Sequence, residues 1–176
     1  MQNRSKLPEW KQALIKLYLD HQARETPGAF KASGGYDQKI NKYTDTNTNG
    51  LTRCVKDFLE FKGHYCIRTG RQGQARIERV PVGGTQRTIG GRGVIMAGKI
   101  TYTKSAEGKA IADLHASING LFIAIEIKCK ATGDRFKAGS KQDENRKDVQ
   151  DSGGIHIVVP SMEWFYTWYN TFINIK

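Results

Sequence analysis

Cysteine is scarce in this 176-residue chain: Cys54, Cys66 and Cys129 are odd in number, and none falls in a CxxC pair. A disulfide framework fits such a set poorly and so does a zinc site, whereas a reducing compartment fits well. Long hydrophobic runs are missing too. No apolar stretch reaches the roughly 20 residues that a membrane-spanning helix needs, and the leading MQNRSKLPEW lacks the apolar core of a signal peptide. These absences lead us to expect a cytoplasmic protein with no membrane partner. No internal repeat is visible. Acidic residues are outnumbered, 17 against 28 Lys and Arg, which leaves a net charge of +11. Such an excess favours a polyanionic partner, a nucleic acid or an anionic membrane face, although a basic protein without one would have the same composition. The length suits one domain plus an extension, with enough chain to bury a real core.

The positive charge is concentrated. Between Lys62 and Lys99 stand eight basic residues, nine glycines and a single acid, Glu78. Glycine-rich segments with spaced arginines make hairpins or loops that can lie along phosphates, because the guanidinium is a bidentate phosphate donor. Arg68, Arg71, Arg76, Arg79, Arg87 and Arg92 are therefore candidate nucleic-acid contacts. A solvated hairpin is the alternative; the one-signed charge favours the first reading.

Periodicity gives the order of elements. Leu7 to His21 reads as a helix, with Trp10, Leu14, Leu17 and Tyr18 at helical spacing and Pro8 in its first turn. Residues 22 to 49, rich in Gly, Thr, Asn, Asp and Lys, read as a linker or flexible arm. The natural division is thus 1–48, a helix and linker, and 49–176, the main domain. Leu51 to Lys62 is a second helix, ended by Gly63, with Leu51, Val55, Phe58 and Leu59 on one face. Short strands follow at 64–68, 76–82 and 92–96. The strand IADLHASI (111–118) then leads through Asn119-Gly120, a strong hairpin signal, into LFIAIEIKC. A polar helix spans about 139–151 and is closed by Gly153-Gly154. The strand IHIVVP comes next, then a helix capped by Ser161 and carrying Met162, Phe165, Trp168, Tyr169 and Phe172. Trp164, Tyr166, Trp168 and Tyr169 could form a base-stacking platform, but their spacing around Phe165 and Phe172 favours core packing. The Trp10 helix is expected to pack on the domain or to mediate association, so a homodimer is one arrangement the sequence allows.

One stretch breaks its own pattern. In AIEIKCK, Glu126 and Lys128 stand in an apolar strand where isoleucine or valine would be usual. They share one face, with Ile125, Ile127 and Cys129 on the other. A buried charge is costly unless paired or bound to a metal. Counting outward from the Asn-Gly turn pairs Ile118 with Leu121 and brings Asp113 opposite Glu126, on the same face. Two carboxylates and an ammonium thus converge. Adjacent acids repel unless a cation lies between them, and a hard ion such as Mg²⁺ suits a pair of carboxylates completed by waters.

Asp113, a hairpin, then Glu126-Ile127-Lys128 resembles the D…ExK signature of the PD-(D/E)xK nucleases, the restriction-endonuclease-like superfamily. Gln142 in GSKQDENRKDVQ stands where the VRR-NUC and Holliday-junction-resolvase-like branches commonly carry a glutamine. The strand GGIHIVV then follows. The likeness spans roughly residues 50 to 170. The proline usual before the first acid is replaced by Ala112. Glu60 is the nearest match to an extra acid found on the first helix of some members, but its helical angle points away from the apolar face. The resemblance implies an α/β fold with a restriction-endonuclease-like core: a mixed central sheet flanked by helices, in the order helix, strand meander, helix, strand, helix, behind an N-terminal helical extension. It also implies a bacterial or phage-encoded DNA endonuclease that uses Mg²⁺ or Mn²⁺, acting on branched or structured DNA. Asp113, Glu126 and the Ile127 carbonyl would hold the metal. Lys128 would act on water or phosphate, and Gln142 would support the site.

ExK alone is a weak signal; its agreement with hairpin register, buried strand, glutamine-bearing helix and basic arm is stronger. The competing reading is a non-catalytic nucleic-acid-binding module that keeps the fold. The presence of Asp113, Glu126 and Lys128 together argues against it. His115 shares the face of Asp113 and reads first as a half-exposed histidine, then as a phosphate contact, and last as a metal ligand. The helix bearing Gln142, Arg146 and Val149 has almost no apolar stripe, so it is either a solvated face or one turned to phosphate.

Overall fold

A computed structural model describes residues 7–28, 43–69, 75–88, 91–102 and 111–174, with the backbone alone described over 75–102. By its contacts the chain forms two units: one made of the residues up to Gly70 and from Lys109 onward, the other of Arg71–Gly108. The first unit is α/β, an open mixed sheet of four strands flanked by helices.

Helix α1 (Glu9–Glu25) runs past the expected end at His21, because Gln22, Ala23, Arg24 and Glu25 are all good helix formers. It buries Trp10, Leu14, Ile15 and Tyr18. Helix α2 (Thr48–Phe61) starts before Leu51 because the Asn47 side chain accepts from the Gly50 amide at 2.8 Å. The last part of the expected linker is also built in. Tyr43 is fully buried and donates its hydroxyl to Asp57, and Asp45 accepts from the Met162 amide and, through its carbonyl, from the Cys129 thiol.

Strand β1 (Tyr65–Arg68) pairs antiparallel with β4 (Leu114–Ile118), and β4 with β5 (Leu121–Ile127); β5 pairs parallel with β6 (Ile155–Val159). The sheet order is β1-β4-β5-β6. Asn119 and Gly120 both take positive φ, 52° and 79°, as a tight two-residue hairpin turn demands. The register is the one counted from the turn, from Ile118↔Leu121 to Leu114↔Ile125. The ladder stops there, so residues 111–113 are not strand as expected. Toward β5, Asp113 turns its carboxylate rather than its backbone. Helix α3 (Lys141–Asp151), capped by Ser140, connects β5 to β6, and α4 (Met162–Asn174) closes the unit. The Ser161 hydroxyl accepts from the Trp164 amide at 3.3 Å, as its capping role requires.

The core lies on one sheet face. Leu114, Ala116, Ile118, Ile123, Ile125, Ile127, Ile157 and Val159 meet Leu51, Val55, Phe58 and Leu59 of α2 and Met162, Phe165 and Tyr169 of α4, with α1 joining the cluster. Each such buried aliphatic or aromatic contributes about 1.5–3 kcal/mol. Phe58 is the hub, with Phe165, Tyr166 and Tyr169 edge-on at 5.0–5.9 Å. Of the α4 aromatics, Phe165 and Tyr169 are core, but Trp164 is 39 % exposed and stacks on Trp168. The opposite sheet face is covered by α3 over β5 and β6, which is why the last five residues of β5 are buried in unbroken succession.

The second unit is an antiparallel ribbon of β2 (Ala75–Thr88) and β3 (Gly91–Tyr102). These strands are much longer than the short ones expected at 76–82 and 92–96. A two-stranded ladder satisfies backbone groups without needing apolar side chains, so glycines did not end it. The register shifts between Pro81 and Thr85, around Gly83 and Gly84, where β2 carries extra residues.

Candidate active site

The register of the second sheet face lays its residues in rows. Tyr65, Ser117 and Phe122 make one; Ile67, His115, Ala124 and His156 the next; Glu126 and Val158 belong to the third, which Asp113 enters from the end of β4. Of the expected site residues, Asp113 and Glu126 sit in that third row, while Ile127 faces the core, Lys128 follows the strand end and Gln142 stands on α3.

Asp113 is fixed on both sides. Its carbonyl accepts from the Thr69 amide at 3.0 Å, and its Oδ2 accepts from the Ile127 amide at 2.9 Å. The Ile127 carbonyl leaves the strand on the side of that bond, since an extended residue directs its N–H and C=O the same way. Glu126, only 2 % exposed, lies between α3 and the sheet. Its Oε1 accepts from Gln142 Nε2 and faces Lys128 Nζ at 3.0 Å. Burial raises the Glu126 pKa; the Lys128 hydrogen bond opposes that rise, and the charge of Asp113 adds to it. Lys128 lies just past the end of β5, held by its amide on the Val159 carbonyl at 3.0 Å, and is mostly buried.

The structure therefore brings Asp113, Glu126, Ile127, Lys128 and Gln142 together. It adds a residue that sequence reasoning missed: Asp134 Oδ2 stands 3.9 Å from Lys128 Nζ, more exposed than its partner. Nothing in its spacing marked it, because it reaches the site from the irregular segment after Lys130–Thr132. Arg146 was noticed only as part of a polar helix. Asp143 takes its Nε and Nη2 at 2.7 Å each, and also accepts from the Gly139 amide, which fixes the first turn of α3. These bonds, the Gly139 amide first, hold the Asp143 carboxyl below its usual range. Glu60, set aside in the sequence, pairs with Lys56 on the surface of α2.

The arginines are less gathered. Arg68 donates to Asn49 Oδ1 at 3.0 Å, on the α2 side of the sheet. Arg76, Arg79, Arg87 and Arg92 fall on the β2–β3 ribbon, with Arg87 and Arg92 directly opposite each other in the ladder. Arg71 lies outside the described residues.

The donor set can be tested against a divalent ion. Among the described residues no three His, Cys, Asp or Glu side chains gather into a metal cage. Mg²⁺ does not need one: it takes one or two carboxylates, keeps waters and shares substrate oxygens. Two carboxylates and a backbone carbonyl are hard oxygen donors of that kind, and a buried acid with a raised pKa gains from a nearby cation. The residues fit. Among the described residues no helix is long and apolar enough to cross a membrane. No family model, curated protein or solved structure matches the chain.

Proposed function

We propose that the chain is a metal-dependent DNA endonuclease with a restriction-endonuclease-like core, acting on branched or structured DNA. The observation that carries the reading is the buried Glu126, which receives both Gln142 and Lys128 on one oxygen while Asp113 is bound to the very next residue's amide. A purely structural ion pair would not need a glutamine on the same buried oxygen and a second carboxylate on the adjoining amide, because a buried carboxylate costs more than an apolar replacement. The element order around the sheet also supports it.

In this reading Asp113, Glu126 and the Ile127 carbonyl hold Mg²⁺ or Mn²⁺, which when bound supplies Lewis-acid stabilisation of charge developing on the phosphate. Gln142 fixes the Glu126 carboxylate in orientation. Lys128, between Glu126 and Asp134, presents its ammonium where the scissile phosphate gains charge. Net positive charge draws the polyanion in.

The test is incubation of the purified protein with plasmid, linear and four-way-junction DNA, with and without Mg²⁺ or Mn²⁺, beside Lys128→Ala. Metal-dependent cleavage by the wild type is expected, with at least a ~100-fold loss in Lys128→Ala while Mg²⁺ binding persists. DNA binding without cleavage under every metal condition would leave only the non-catalytic binding module.

A further inference from the structure

The β2–β3 ribbon holds a juxtaposition that the metal site does not use. On two rungs of its ladder a charged residue stands opposite another. Glu78 is opposite Lys99, and unlike charges in that relation favour the pairing. Arg87 is opposite Arg92, one rung before the ladder ends at Thr88 and Gly91. Like charges directly opposite destabilise a ladder. No acid near in sequence offsets them, since residues 79 to 106 contain neither Asp nor Glu.

We infer that Arg87 and Arg92 act together as a clamp for one backbone phosphate of the DNA. The identity of the polymer rests on the nuclease reading; the clamp rests on the ladder. Three observations carry it. First, the two positions share one face of the ribbon by register, and opposing positions stand about 4.5–5.5 Å apart at Cβ. Arginine is a permanently charged, planar fork that suits phosphate oxygens two at a time. One phosphate shared by the pair turns a repulsive rung into a stabilised one. Second, the end of the ribbon suits no apolar partner. Its last three rungs are Gln86↔Gly93, Arg87↔Arg92 and Thr88↔Gly91, joined in sequence by Ile89-Gly90. The aromatic and aliphatic residues that make the core of a protein interface are missing from these rungs. A single isoleucine buries too little apolar surface to hold a membrane. Third, the charge of the ribbon selects the occupant. Its two strands carry five basic residues, Arg76, Arg79, Arg87, Arg92 and Lys99, against the one acid Glu78.

A ribbon so charged, in a protein of net charge +11, repels its own copies and attracts a polyanion. In a polyphosphate the neighbouring phosphates are then available to the remaining basic residues. Contacts of this kind position the polymer without reading its bases. The clamp would thus anchor DNA whatever its sequence.

The experiment measures binding of a fluorescein-labelled blunt DNA duplex to the full chain across a salt series, in EDTA so that no cleavage occurs. Wild type, Arg87→Gln, Arg92→Gln, the double variant and Arg92→Glu are compared. We expect each glutamine variant to lose about tenfold in affinity, the scale of a charge-assisted hydrogen bond. The double variant should fall well short of a hundredfold loss, because both residues serve one phosphate. Its slope of log affinity on log salt should drop by about 0.9, one phosphate contact. Arg92→Glu places unlike charges on the rung, which favours the ladder while repelling phosphate. It should bind no better than the double variant, and unfolding of the ribbon cannot then be the cause. Wild-type affinity in the double variant overturns the clamp. Additive losses with a slope change of about 1.8 overturn it too, since each arginine would then hold its own phosphate. So does binding to phosphatidylserine vesicles that the double variant loses while its duplex binding is unchanged, which would make the rung a membrane contact. The nuclease reading fails separately: no metal-dependent cleavage by a wild type whose duplex binding still depends on the pair sinks that reading and leaves the clamp.

Discussion

Replacing Glu126 by glutamine removes a charge and almost nothing else. The side chain keeps its volume in a site only 2 % exposed, and an amide oxygen can still accept from Gln142 and Lys128 as Oε1 does now. Lys128 retains Asp134 as a second carboxylate at 3.9 Å. The fold should therefore survive, and three readouts should move. Cleavage should fall at least ~100-fold, about 2.7 kcal/mol of transition-state stabilisation, because one of two acidic ligands is gone. Mg²⁺ at ten times its dissociation constant stabilises a folded protein by about 1.4 kcal/mol. For a chain of this size that is roughly 3–6 °C of melting temperature. The rise should appear in the wild type and shrink or vanish in Glu126→Gln and in Asp113→Asn. The pH dependence without metal has a definite sign. Burial raises the Glu126 pKa in the folded state above its unfolded value, so the folded state favours the protonated acid. Wild-type stability linked to this group is present below about pH 4.3, the unfolded value, and is lost as pH rises through the folded one. Glu126→Gln has no such titration and should gain on the wild type as pH rises. Denaturant melts in EDTA and in Mg²⁺, followed across pH, with a plasmid-cleavage assay alongside, make the measurement. If Glu126→Gln cuts DNA normally and Mg²⁺ moves no melting curve, Glu126 and Lys128 are a buried ion pair and nothing more.

Two other outcomes follow from different parts of the molecule. His156 is buried, and neither ring nitrogen has a hydrogen-bond partner among the described residues; burial, then the charge of Arg146, pushes its pKa down. The unfolded chain therefore takes up this proton first, and stability falls as pH drops below about 6.5. His156→Phe, facing Phe136, should flatten that limb and stabilise the fold by about 1–3 kcal/mol; an unchanged acid limb in denaturant melts would show the imidazole is satisfied after all. On the ribbon and its approach, replacing Arg71, Arg76 and Arg79 by alanine should lower the salt slope of duplex binding by roughly 2.7, at 0.9 per phosphate contact. A slope that stays put would make the ribbon a solvated arm.

Much of the site was legible because it hangs on local chemistry. Asn119-Gly120 determines a two-residue turn by its tolerance of positive φ, the turn fixes the register, and the register carries Asp113 to the level of Glu126 by counting alone. The alternation of LFIAIEI gave the core face, and Ser161 is a helix cap that any chain would use, whereas Asn47 caps α2 from inside a stretch whose composition reads as linker. Sequence could not say that both faces of β5 are covered, since an apolar run reads the same with one face buried or two; only the packing of α3 decides it. That packing turns Glu126 from a strand-end charge into a buried acid and sets Gln142 against it across 16 residues of chain. Asp134 joins by a path through irregular backbone, which has no period to read. Tyr65 and Phe122 are 57 positions apart by their numbers and fall on one row, with Ser117 between them, only once β1 joins the edge of the sheet. Strand order is set by the whole core collapsing at once, and no residue in either segment encodes it.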